Sequence, residues 1–413
     1  MASGPNNTTR YTAALAIVAV ASVPTMARAQ QCEDLVLGAA LSATGIYASN
    51  GTNTKNGYDF AVKKVNEAGG IKIGGKCYHL SIKYYDDEST PARAAQLVER
   101  LINQDDIKFV LGPYSSPMTK AVLPVTEKYK ISVVQAEAAS RSLFTQGYAY
   151  HFGIIATSEK YLTPVIEMAA EHAKQAGKDP SSVKVAMIYQ DDPFSLDVRQ
   201  GVADEVKKLN MKIVIDDRMP KDLNDITTFL TKVKALKPDV LLVSGHEKGA
   251  ATAARQMGEH KIEVPLVGMT HCESAKIVKD FPKVAEGFVC PTQWDETMKA
   301  TDRLFGSPAE YNKAMQTAYG YTVVPYQAAE ASCGVEVWAD ALQRSQSLDP
   351  EKVRATLTKT DMKTMCGGVK FASDGSNPGK DMVLRQIQGG NYRVVYPSEA
   401  ATVSLAYPRQ AHY

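Results

Sequence analysis

The chain is 413 residues long, more than one ordinary domain needs and enough for two domains that share a binding site. With 44% apolar and 22% charged residues it has the composition of a globular protein, which excludes a disordered tail and a multi-span membrane protein. Lysine and arginine number 47 against 45 acidic residues, so no broad basic field exists to hold a phosphate polymer, and nucleic-acid binding is not expected.

The first 29 residues read as a secretory leader. Arg10 precedes an apolar stretch over 12–23, and Ala27-Arg28-Ala29 offers small residues at the two positions a signal peptidase reads, which predicts cleavage before Gln30. The stretch is shorter than the roughly twenty apolar residues that span a bilayer. Gln31 is a poor match to the small residue a lipid-attachment signal places before its cysteine, so the mature chain is expected to be free in its compartment. Arg10 and Arg28 leave with the leader, and what remains carries equal numbers of basic and acidic residues.

The mature sequence alternates short apolar runs with amphipathic helical stretches. A strand is predicted over 35–40. Tyr58, Ala61, Val62 and Val65 then fall at i, i+3, i+4 and i+7, on one face of a helix that ends at 66–70. A strand over 78–85 follows; Thr90 and Pro91 give an N-cap and first-turn signal, and Ala94, Leu97, Val98 and Leu101 repeat the helical spacing. Strands over 107–111 and 131–136 are apolar without alternation, as expected where helices cover both faces of a parallel sheet. The pattern restarts with strands over 183–189, 211–216, 240–244 and 264–268, separated by helices around 196–209, 226–236 and 250–257. No Pro/Gly/Ser-rich linker divides the two series, which predicts two open α/β sheets joined by chain crossings near 150–155 and 287–292. Helices over 324–342 and 350–357 would complete the first half. After Val369, turn signals at Asp374-Gly375 and Gly389-Gly390 predict short antiparallel strands on the second.

Six cysteines, Cys32, Cys77, Cys272, Cys290, Cys333 and Cys366, lie beyond the leader. An even count in an exported chain reads as a disulfide framework, although six cysteines allow about fifteen connectivities. Cys32 and Cys77 each precede one of two consecutive strands, and consecutive strands of a βαβ unit are often neighbours. Cys272 and Cys290 sit near the ends of two successive strands, and Cys333 and Cys366 are left for each other. Pairing in sequence order is expected; the alternative is a set of buried free thiols.

Enzyme signatures are sparse: no GxSxG, HExxH or CxxC occurs. The glycines over 69–75 follow a helix and precede a strand, the reverse of a phosphate-cradling loop, and read as a turn. Nothing in the spacing of His246, His271 and Cys272 supports a metal site, and neither metal nor cofactor is expected. Two polar loops at strand ends remain, Gly112-Pro113-Tyr114-Ser115-Ser116 and Glu137-Ala138-Ala139-Ser140. Serine hydroxyls and small residues next to helix starts suit a carboxylate, which gains charge-assisted hydrogen bonds there; the alternative is that the serines merely cap their helices.

Gly38-Ala39-Ala40-Leu41-Ser42-Ala43-Thr44-Gly45, Asn66-Glu67-Ala68-Gly69-Gly70-Ile71, Tyr85-Asp86-Asp87 and the Gly112–Ser116 loop resemble the first lobe of periplasmic leucine/isoleucine/valine-type binding proteins, the type I solute-binding components of ABC importers. The resemblance covers essentially the whole mature chain. It implies two Rossmann-like α/β lobes joined by a multi-crossing hinge, lobe 1 from 30–151 and 290–368 and lobe 2 from 152–289 and 369–413. It also implies a periplasmic, monomeric receptor that binds a small solute without chemistry and delivers it to an inner-membrane permease. Residue by residue, the family's serine is matched by Ser115 or Ser116, and its small-small-hydroxyl loop by Ala138, Ala139 and Ser140. Phe194 and His246 replace second-lobe aromatics, and Asn50 stands where a first-lobe aromatic often covers the ligand. Thr270 stands where amino-acid binders place the carboxylate that meets the solute's ammonium, which would weaken amino-acid binding unless Glu247 or Glu273 substitutes. Aromatic acids and amino acids are both left as solutes. The competing readings are an enzyme using His246, His271 and Glu247 for acid–base work, and an amide-binding or ligand-sensing regulator of the same fold.

Overall fold

Apolar strands alternating with amphipathic helices make parallel sheets covered on both faces, and the computed structural model contains two, described over residues 1–6, 8–9, 31–220 and 222–410. The apolar stretch of the expected leader and its cleavage point lie outside the described residues. Both sheets belong to the unit Cys32–Tyr413, while Met1–Gln31 forms a separate one.

The first sheet has six strands, β1 (Glu33–Leu41), β2 (Ile71–Ile73), β3 (Lys76–Asp86), β4 (Val110–Leu111), β5 (Val133–Gln135) and β6 (His151–Gly153), in the order β2-β3-β1-β4-β5-β6. All its pairs are parallel except β2 with β3. Helices α1 (Ala48–Glu67), α2 (Pro91–Asn103) and α3 (Ser116–Tyr129) connect the strands. The periodic residues Tyr58, Ala61 and Val65 of α1 are buried, as are Ala94, Val98 and Leu101 of α2. Thr90 flanks α2 in extended conformation, but its hydroxyl donates to the Glu88 carbonyl and caps nothing. β4 is shorter than the expected 107–111, because the Ile107 amide donates to Leu101 at the end of α2 and so leaves the ladder.

The second sheet has seven strands in the order β15-β14-β11-β10-β9-β7-β8. Parallel β7 (Lys184–Tyr189), β8 (Lys212–Arg218), β9 (Val240–Ser244), β10 (Leu266–Met269) and β11 (Phe288–Thr292) alternate with α4 (Thr163–Gln175), α5 (Pro193–Lys208), α6 (Thr227–Leu236), α7 (Glu247–Glu259) and the short α8 (Ile277–Asp280) and α9 (Pro282–Ala285). β10 begins at Leu266 and not at the expected 264, since Pro265 has no N–H to give a ladder and its carbonyl accepts from the Arg409 amide. The chain then returns to the first half through α10 (Pro308–Tyr319), α11 (Tyr326–Ser345), α12 (Pro350–Leu357) and a hairpin, β12 (Asp361–Thr364) with β13 (Gly367–Lys370), which the sequence reading lacked. Antiparallel β14 (Val383–Gln388) and β15 (Asn391–Tyr396) complete the second sheet, turning at Gly389-Gly390 as expected.

α11 is the buried beam of the first half. Trp338 is fully buried, and its Nε1 donates to the Val110 carbonyl at 3.1 Å, satisfying a polar group that the short β4 leaves beside the ladder. α1 packs on α11 at Gly57, where a Cβ would stand 2.1 Å from the Ala328 carbonyl oxygen and 2.8 Å from the Ala331 Cβ. Gly57→Ala is therefore expected to lower stability by about 1–3 kcal/mol, read as a lower urea midpoint at unchanged slope. An unaltered midpoint would mean that the two helices can move apart freely.

Three crossings connect the sheets, and they are stitched together. Ala156 N–H donates to Gln293 Oε1 at 3.0 Å, Gln293 Nε2 returns a bond to the Ala156 carbonyl at 2.9 Å, and Asn377 Nδ2 donates to the Ile154 carbonyl at 2.8 Å. The expected boundaries at 151/152, 289/290 and 368/369 each cut a strand that hydrogen bonding carries whole: β6 stays in the first sheet, β11 in the second, and β13 in its hairpin. The apolar runs continue across these points, which is why the sequence hides them.

The three disulfides are Cys32–Cys77, Cys272–Cys290 and Cys333–Cys366, in the expected order. The first follows from register: Glu33 pairs with Tyr78 across β1 and β3, which sets Cys32 opposite Cys77. The second ties the loop after β10 to β11, and the third ties α11 to the β12–β13 turn. Among the described residues, no helix is long and apolar enough to cross a membrane.

Candidate functional site

In open α/β sheets, ligand-binding loops follow the carboxyl ends of the strands, beside the strand where connection direction reverses. Here the loops after β1, β4 and β5 of the first sheet meet those after β7, β9 and β10 of the second. Their side chains touch. The Tyr114 hydroxyl, after β4, lies 3.1 Å from His246 Nδ1 and 3.1 Å from His271 Nε2, after β9 and β10. The Tyr47 ring stands 5.1 Å from His246 and 5.6 Å from Tyr114, and Phe194 at the start of α5 packs edge or tilted against Tyr161, His246 and His271 at 5.0–5.4 Å.

One hydroxyl can donate only once, so Tyr114 donates to one of the two rings and accepts from the other. His246 Nε2 faces Asp192 Oδ1 at 3.6 Å. Burial, with His246 adding to it, holds the His271 imidazolium pKa well below its ordinary value, against the opposing effect of the Gly245 backbone, so this ring is neutral. His271 also sits at φ +61°, the left-handed region, on the loop that Cys272–Cys290 clamps.

The first-half loops contribute as follows. Ser115 and Ser116 open α3, and both are buried. The Ser115 hydroxyl lies beside that of Tyr47, whose pKa burial raises, Asp192 adding to the shift. The Ser116 hydroxyl accepts from the Ser140 amide at 3.1 Å and retains its own hydrogen for donation. Ala138 and Ala139 are buried, and no hydrogen bond among the described residues uses their amides. Ser140, expected to face a solute carboxylate, is taken up otherwise: its hydroxyl pairs with Asp197 Oδ2 at 2.5 Å and with the Pro193 carbonyl at 3.2 Å, both on α5. With the Ser142 amide donating to the same Asp197 oxygen at 3.0 Å, it bridges one half to the other.

Thr270 also departs from its expected role. Its hydroxyl donates to the Gly245 carbonyl at 2.8 Å and accepts from the Gly245 amide at 3.1 Å, so it joins the loops after β9 and β10 and has no hydrogen left for a solute carboxylate. Glu273 is likewise consumed, ion-paired with the buried Arg385, which Asp295 approaches at 3.6 Å. Glu247 opens α7 beside Ser49 at the rim, half-buried, its pKa raised chiefly by burial. Asn50 is fully buried on the first turn of α1, with neither side-chain amide atom partnered. Tyr47, three residues earlier and just before α1, supplies the ring against Tyr114 and His246.

Two residues outside the expected ligand set join this cluster. His271, which the sequence offers only to the competing enzyme reading, stands beside the structural Cys272, and Glu137 opens a loop whose alanines and serine carry the cradle signal. Glu137 is buried with no hydrogen-bond partner of good geometry on either oxygen, and burial, with Glu330 adding, raises its pKa well above the ordinary carboxyl range. Ser195, Ser244 and Gln327 add further buried polar atoms without partners. Among the described residues, no group of three or more His, Cys, Asp and Glu could hold a metal ion.

The description "periplasmic binding protein" fits residues 35–391, most of the chain. The chain belongs to the periplasmic binding protein family. The Leu/Ile/Val-binding protein homolog 8 of Brucella abortus is 24% identical to this periplasmic binding protein over 386 residues, 91% of this chain and 94% of that one. Among solved structures, the branched-chain amino acid transporter substrate-binding protein of Streptococcus pneumoniae, in complex with isoleucine, superposes with a TM-score of 0.75 at 20% identity, over 88% of this chain and all of that one. A solute-binding protein of an ABC transporter from R. palustris, in complex with benzoate, gives 0.74 at 16% identity, over 92% and 98%. These likenesses carry the fold, two α/β halves.

Proposed function

We propose that this periplasmic binding protein is the solute receptor of an ABC importer for a small carboxylate, an amino acid or an aromatic acid, bound without chemistry. One observation carries the reading: buried polar groups from both sheets converge where the strand ends face each other, and many have no hydrogen-bond partner among the described residues. Buried polar groups are ordinarily hydrogen-bonded, and a solute supplies the missing bonds. The carboxylate cradle is the Ser115 and Ser116 hydroxyls with the Ala138 and Ala139 amides, while Phe194, His246 and Tyr47 pack its organic part. The two halves are the hinged lobes, divided at the three crossings. The relative named for Leu, Ile and Val and the neighbours solved with isoleucine and benzoate support this solute class. Export through the leader to the periplasm, action as a monomer and presentation of the closed form to an inner-membrane permease complete the reading.

A thermal-shift screen with amino acids, aromatic acids, amides and dicarboxylates tests it. A solute bound only by the folded state at about 100 times its Kd stabilises by about 2.7 kcal/mol, a shift of several degrees. Stabilisation by amides alone would favour the sensing alternative, and no stabilisation by any carboxylate would end the proposal. Acid–base catalysis by His246, His271 and Glu247 predicts conversion of the solute; the same incubations are expected to return every solute chemically unchanged.

A further inference from the structure

The candidate site is built of hydroxyls, amides and neutral rings, with Glu137 standing apart from them. It is 6% exposed, and neither oxygen has a partner of hydrogen-bonding geometry. Thr54 and Tyr58 face it from α1, Tyr114 from the loop after β4, Tyr161 from the crossing after β6, and Tyr326 and Glu330 from α11. None of these is a cation. The Thr54 hydroxyl lies alongside but donates to the Asn50 carbonyl at 2.9 Å. The buried cations of the described residues are Lys380, Arg385 and Arg409. Lys380 is held by Glu330 at 2.7 Å and by the Cys366 carbonyl, Arg385 by Glu273 and Asp295, and Arg409 by the carbonyls of Val284 and Glu286.

A second observation points to the same place. Asn50, Thr54 and Tyr58 fall at i, i+4 and i+8, one face of α1, and Asn50 is fully buried with both side-chain amide atoms unpartnered. One wall of the first half thus presents a carboxyl and an amide, neither with a hydrogen-bond partner of good geometry among the described residues. A carboxylate stays charged in such a place only beside a cation or several donors.

We infer that Glu137 selects for a protonated nitrogen on the solute: the serine and amide cradle holds the solute's carboxylate and Glu137 pairs with its ammonium, so the class this site accepts is amino acids and not plain carboxylates. The inference rests on the receptor reading above. The acid that Thr270 lacks is thus supplied from the opposite half. Burial favours the neutral Glu137 carboxyl while no cation stands beside it; an arriving ammonium favours the charged form, and any proton on the carboxyl leaves to solvent while the ammonium keeps its three hydrogens.

Matched solutes test this. Calorimetric titrations at pH 7, in phosphate and in Tris, compare L-leucine with 4-methylpentanoate and L-phenylalanine with 3-phenylpropanoate, pairs that differ by the amine, together with benzoate. At least one amino acid is expected to bind ten or more times more tightly than its amine-less partner, with a buffer-dependent heat that reports proton release. Glu137→Gln is expected to weaken that amino acid at least thirtyfold and to leave the partner within threefold. An amine-less acid that binds as tightly as its amino acid, or a preference that survives Glu137→Gln, would overturn the inference while leaving the receptor reading intact. Failure of all five to bind the unaltered protein would remove both. The wild-type arms decide the matter even if the variant does not fold.

Discussion

Tyr114→Phe is expected to weaken binding of the solute identified by screening by about 30-fold or more and to leave the melting temperature of the solute-free protein almost unchanged. The hydroxyl is the one group that bonds both His246 and His271, and it comes from the first half while both rings come from the second. Without it, two buried imidazole nitrogens lose their partner in the closed arrangement, at about 1–3 kcal/mol each. When the halves part, water reaches both nitrogens, so the cost falls on the closed form alone. Since about 1.4 kcal/mol is tenfold in affinity, the loss appears in Kd. Tyr129→Phe, which removes a bond to Glu99 on the protein surface, is the control and should leave Kd within twofold. A Tyr114→Phe protein that binds as the wild type does would show that the contact contributes nothing to closure.

The same cluster explains how much could be read without coordinates. Strand and helix periodicities are local, and they placed the βα units of both sheets and the disulfide order; α1, with Tyr58, Ala61 and Val65 turned inward, is typical. What failed was long-range. Ile107 reads as strand but gives its N–H to the end of α2, and Ser140 reads as an anion ligand but meets Asp197 from α5, 57 residues away in sequence. Thr270 reads as the vestige of a lost acid, yet it joins two neighbouring loops through Gly245, 25 residues distant. Partnering of this kind depends on which loops the sheets bring together, and no periodicity encodes it. Glu137 was hidden for a related reason, since a carboxyl in a polar loop signals function only when burial and the lack of a cation are known. Tyr47 was legible in principle, as an aromatic three positions before Asn50, at the end of the loop that follows β1.

Buried acids also set the pH response of the fold, and the protein is expected to lose stability as pH rises from 6.5 to 9. Burial raises the Glu330 carboxyl to about 7, against the lowering effect of Lys380, and raises Glu336 to about 9, with Asp302 and Asp340 adding to the shift. An acid whose folded pKa lies above its ordinary 4.5 binds more protons folded than unfolded, so its contribution is fully present below 4.5 and is lost as pH climbs to the folded value. His151 and His271 act in the opposite sense: burial lowers the former to about 3 and the latter well below 6.5, so their contribution grows with pH and is complete above about 6.5. The two sets oppose each other between 4.5 and 6.5, and only the acids remain beyond it. Each acid still protonated in the fold then lowers stability by about 1.4 kcal/mol per pH unit. Glu330 drops out near 7, leaving Glu336 to carry the fall toward 9. Glu336→Gln, which keeps the shape and removes the proton, should flatten the melting-temperature profile between pH 7 and 9 and leave solute binding unaffected, because this side chain lies away from the facing strand ends. A profile that rises over that interval, or a variant with the wild-type slope, would mean that the Glu336 carboxyl is already ionised in the folded protein.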